Sequence, residues 1–120
     1  MKTSIFHFSE LAAINDLAFA NIPQNTPLLV QAYISGDSKP WINALQQVIA
    51  RCIPTAVVVG MTSYGQIEQG VIKQQGMSVF ITEFAKSNLS QSLLRADANE
   101  TEKIAALQQL LQPDTKGLLV

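Results

Sequence analysis

Charge is scarce in this chain. Only 14% of its 120 residues are Asp, Glu, Lys or Arg, and the formal net charge is −1. No broad basic field exists to attract phosphate backbones, so nucleic-acid binding is not expected as the main role. Cysteine is limited to Cys52, which excludes an intrachain disulfide and is compatible with a reducing compartment. No apolar run approaches the roughly 20 residues that span a bilayer. Met1 to Phe8 holds one Lys but lacks the continuous apolar stretch of a secretory signal. These absences point to a soluble, cytoplasmic domain.

Catalytic patterns are missing as well. Glu68, Glu83, Asp97, Glu100 and Glu102 form no spaced metal motif, and Glu100 and Glu102 suit a helix start. Gly60 to Gly65 lacks the Lys-Ser or Lys-Thr that completes a phosphate loop. Met61 stands two residues before Ser63, where a nucleophile elbow needs glycine. No proton-transfer pair is visible, so the chain is not expected to be an enzyme, and no metal or cofactor is expected.

What the chain does have is apolar residues, 48% of the total, enough for one modest core in one domain. Thr3 to Phe8 reads as a strand. Ser9 then caps a helix carrying Leu11, Ile14, Leu17 and Ala18 as far as Ala20. Leu28 to Ile34 is a second strand, followed by the turn Ser35 to Ser38. Pro40 suits the first position of a helix that places Trp41, Leu45, Val48, Ile49 and Cys52 on one face. Cys52 is expected to be a buried, inert thiol.

Pro54 stops that helix, and Thr55 to Gly60 forms a third strand after a connection long enough for a parallel crossover. Its run Ala56 to Val59 has no polar alternation, which predicts cover on both faces. Gly70 to Gly76 reads as a loop or short strand pair. Met77, Val79 and Ile81 then face one way along a further strand, and Ser78, Phe80 and Thr82 the other. Ala85 to Ala98 is a polar connector. Asn99 and Glu102 form a capping box for a helix bearing Ile104, Leu107 and Leu111. Lys116 to Val120 starts what reads as a buried strand, which predicts that the chain is the N-terminal piece of a larger domain. The expected fold is three-layer α/β with a mixed, partly parallel sheet.

Between the third strand and the next lies the polar turn Gly60-Met61-Thr62-Ser63-Tyr64-Gly65-Gln66. In open α/β sheets, ligands favour the crevice beyond the carboxyl ends of parallel strands. Gly60 and Gly65 let the backbone approach a guest. Thr62, Ser63, Tyr64 and Gln66 supply neutral donors and acceptors for a carboxylate, amide or hydroxyl. The alternative is a strand-to-strand turn whose hydroxyls satisfy their own backbone. His7 is the only histidine and thus the only imidazole open to a haem, against a structural role at the N-terminal strand.

The run from Ile53 to Ile67 resembles the N-terminal part of the FIST family of sensory domains: a helix ending at proline, a strand, a glycine, a hydroxyl-rich turn and Gly-Glu-Ile. Here that last triplet is Gly65-Gln66-Ile67, and Tyr64 stands where a smaller residue is common. The order of the remaining strands and helices agrees over most of residues 1–120. The resemblance implies a cytoplasmic input module of bacterial signalling proteins, joined to an output domain in the same parent chain. It also implies a small-molecule ligand, with amino acids and small carboxylates as the class. Carried onto this sequence, the ligand rim is Gly60, Thr62, Ser63, Tyr64, Gly65 and Gln66. The competing expectations are an interaction or homodimerisation module without a small ligand, and a haem-based gas sensor.

Overall fold

Alternating side chains along the strands sort the apolar residues onto one face of a sheet, and the pairing follows from which faces match. The computed structural model describes residues 1–119. Strands β1 (Lys2–Phe8), β2 (Leu28–Ser35), β3 (Val57–Ser63) and β6 (Gly76–Glu83) form one sheet in the order β1-β6-β2-β3. β6 runs antiparallel to β1 and to β2, whereas β2 and β3 are parallel. The sheet is therefore mixed and the fold α/β, as the sequence predicts. Helix α1 (Ser38–Cys52) makes the crossover between the parallel pair.

A separate antiparallel hairpin, β4 (Gln66–Glu68) and β5 (Val71–Lys73), follows β3. Gln69 and Gly70 join it with φ of 48° and 80°, the two positive values that a type I′ turn requires. The chain divides into two compact units. Residues 1–89 hold the sheet, the hairpin and α1, and the unit from Ser90 onward holds helix α2 (Glu100–Leu110). Among the described residues, no helix is long and apolar enough to cross a membrane.

The core of the first unit lies between α1 and one face of the sheet. Leu45, Val48 and Ile49 of α1 are buried with Val30, Ala32 and Ile34 of β2 and with Met77, Val79 and Ile81 of β6. Each such side chain contributes about 1.5–3 kcal/mol when fully buried. Phe6, Phe8 and Phe19 extend this core, with ring centroids 5.5–6.1 Å apart. On the opposite face Tyr33 meets Phe80 edge-on at 5.8 Å. There, too, Thr3 Oγ1 lies 3.0 Å from Thr82 Oγ1, and His7 Nδ1 lies 3.1 Å from Ser78 Oγ.

Several sequence expectations need correction. The helix expected from Leu11 to Ala20 is two 3-10 turns, Leu11–Ala13 and Asp16–Phe19. Glu10, not Ser9, occupies the first cap position. Asn15 interrupts the helix because its side-chain oxygen accepts from the amides of Leu17 and Ala18 and starts a new turn. Pro40 is the third residue of α1, still within the first turn, where no intrahelical N–H is required.

The third strand does not stop at Gly60. β3 continues through Ser63, because β2 offers pairing partners as far as Ser35. The valines of β3 lack the expected double cover: Val57 and Val58 are half-buried and Val59 is exposed. Among the described residues β3 has a single neighbour, β2, so it borders the sheet. Residues 116–119 form no strand, and the last residue of the strand expected there, Val120, lies outside the described residues.

Candidate functional site

The residues of the expected rim run from the middle of β3 through the link to the first residue of β4. Gly60, Thr62 and Ser63 belong to β3, Tyr64 and Gly65 form the link, and Gln66 opens β4. β2 and β3 run parallel and in register to their carboxyl ends at Ser35 and Ser63. The segment therefore sits where ligands of α/β sheets are commonly held.

Gly60 is paired with Ala32, and a Cβ there would stand 2.7 Å from the Ala32 carbonyl oxygen. Only glycine permits so close an approach. Gly65 is similarly confined, with the Lys73 carbonyl oxygen 2.9 Å from where its Cβ would be. Tyr64 is fully exposed, and Thr62 is exposed on the sheet border.

The structure joins two of the rim side chains directly. Ser63 Oγ donates to the Gly65 carbonyl at 3.1 Å. Gln66 Nε2 donates to the Tyr33 carbonyl at 3.1 Å and to Ser63 Oγ at 3.3 Å. These bonds fix which end of the amide points inward. Reversing it would set Oε1 against the Tyr33 carbonyl, acceptor on acceptor. Gln66 Oε1 is thereby left buried, and it accepts no hydrogen bond among the described residues. A buried acceptor in that condition costs about 1–3 kcal/mol.

Tyr33 was not foreseen as part of this site, because what it contributes is its main-chain carbonyl. That role is set by the parallel register and leaves no mark in residue type. His7 lies on β1 with its ring nitrogen beside Ser78 of β6, away from the β3 terminus. Cys52 ends α1 half-buried, and burial pushes its thiol pKa up, with the Asp16 carboxylate adding to the rise. Arg51 points away from the core and binds Asp16 at 3.0 Å. Its hydrogen bond holds that carboxyl below its ordinary range.

The first unit is thus a mixed α/β sheet whose parallel pair ends in a polar cluster with one buried acceptor unsatisfied among the described residues. The family model described as the FIST N domain matches residues 28–120. The chain belongs to this family, whose members are sensory domains of signal transduction and not a catalytic class. Comparison with curated proteins and with solved structures gives no significant match.

Proposed function

We propose that this domain is a non-catalytic, ligand-sensing input module, read out by an output domain of a cytoplasmic bacterial signalling protein. The observation that carries the reading is Gln66 Oε1, a buried acceptor without a donor at the end of the parallel pair. A guest bearing an N–H or O–H group satisfies that atom, and Ser63, bonded to the same amide, offers its remaining lone pair to the guest, whereas Thr62, next along β3, faces the other side of the sheet. Amino acids and small carboxylates have this chemistry. The exposed Tyr64 link must shift to admit the guest, and that shift is the signal. Its size is bounded by the guest's differential affinity for the two arrangements.

Thermal unfolding of the full chain against a panel of amino acids and small carboxylates tests the reading. A specific ligand at a hundred times its Kd adds about 2.7 kcal/mol. Gln66→Leu and Ser63→Ala are expected to remove that gain. A panel without saturable stabilisation defeats the proposal, as does a gain that survives both substitutions.

One observation favours a second reading, an association module. β3 borders the sheet with Val59 exposed and Met61 62% exposed. Such edges pair readily with other strands. Light scattering separates the two: self-association abolished by Met61→Lys, with no ligand response, supports the second.

A further inference from the structure

The geometry points to a second small-molecule site, in the cleft at the amino ends of β2 and β3, for an uncharged hydrogen-bonding solute of sugar or amide type. The cleft is open to solvent and offers about 460 Å³, a volume within the range of small-ligand sites. Three separate connections converge on it: the loop entering β2, the link from α1 to β3, and the segment after β6. Val57 opens β3 and Ser63 closes it. At about 3.3 Å per residue the cleft lies roughly 20 Å from the Gln66 cluster along that strand. It is a different place from the proposed sensing rim.

The lining determines what fits. Gln24, Asn25 and Asn88 bring carboxamides, Thr26 and Thr55 bring hydroxyls, and Leu28 and Val57 supply apolar surface. None of the lining residues is charged. A carboxylate or ammonium ion leaving water there would find no opposite charge, which is costly. A neutral solute with donors, acceptors and an apolar side meets every group.

Two observations mark the place as built. Gln24 Nε2 donates to the Cys52 carbonyl at 2.8 Å, and the Phe84 amide donates to the Pro27 carbonyl at 2.9 Å. These bonds hold the wall bearing Gln24 to the end of α1, and Pro27 to the segment leaving β6. Thr26 Oγ1 is buried, with no hydrogen-bond partner among the described residues.

Amide-resolved NMR titration of the full chain tests this, with D-glucose as the hydroxyl arm and nicotinamide as the amide arm. Saturable shifts at Asn25, Thr55 and Asn88 are expected in at least one arm, and which arm responds assigns the source. L-Glutamate is expected to leave those residues unmoved. Thr55→Val and Asn88→Leu, both at exposed positions, are expected to weaken binding about tenfold, the equivalent of about 1.4 kcal/mol. Unchanged β6 signals in those variants show that the fold is intact. Two silent arms overturn the assignment, as does equal binding of glutamate. Shifts confined to Ser63 and Gln66 overturn it while leaving the proposed sensing role standing. Cleft binding with no rim response to amino acids does the reverse.

Discussion

Gly60 has a reason to be glycine that needs no ligand. Its missing Cβ lets β3 lie against the Ala32 carbonyl, where a methyl would stand at 2.7 Å. Backbone atoms on both strands must move to admit it, and overpacking of this kind costs typically about 1–3 kcal/mol. Gly60→Ala is therefore expected to lower the urea midpoint with an unchanged slope, the signature of lost stability without a change in exposed area. A midpoint equal to that of the parent protein would show that the strands separate freely. Gln66 differs in kind. Its residue type was legible as a polar group near the turn, but the direction of its amide follows from the Tyr33 carbonyl, thirty-three positions earlier. Local sequence has no means of recording that.

Among elements, those built from neighbouring residues were the ones legible beforehand. The α2 capping box is the clearest: Glu102 N donates to Asn99 Oδ1 at 2.9 Å, and Asn99 N donates to Glu102 Oε2 at 3.0 Å. The alternation of β6 was equally legible, because strand geometry alone produces it. Two elements were misread where a more distant or competing contact prevailed. Asn15 broke a periodic helix by capping its own second turn, and β3 outran Gly60 because β2 extended beside it. Strand order was not legible at all, since β6 lies between β1 and β2 through pairings some seventy and fifty residues apart. For α2, Asn99→Ala removes the acceptor of the Glu102 amide and is expected to cost about 1 kcal/mol of helix stability. Hydrogen exchange should then quicken roughly fivefold at Glu102. An unchanged rate would mean that water replaces the cap at no cost.

At the scale of the molecule, the two units differ in what holds them. The first has a core whose central residues, Val30, Met77, Val79 and Ile81, are wholly buried. In the second, α2 buries no residue, and Ile104 is 54% exposed. An isolated helix of 11 residues is shorter than the roughly 12–15 at which helices become marginal in water. Its amides should therefore exchange through local opening, while those of β2 and β6 exchange only when the core unfolds. Met77→Ala distinguishes these routes. Removing that side chain from a site of 0% exposure should cost about 2–5 kcal/mol. Trp41, the single tryptophan, packs against the core on α1 and reports its unfolding by fluorescence. The expected result is a Trp41-detected urea midpoint well below that of the parent, with α2 exchange rates unaltered. If the α2 amides accelerate in step with those of β6, the units unfold as one and the exposed helix draws its stability from the core.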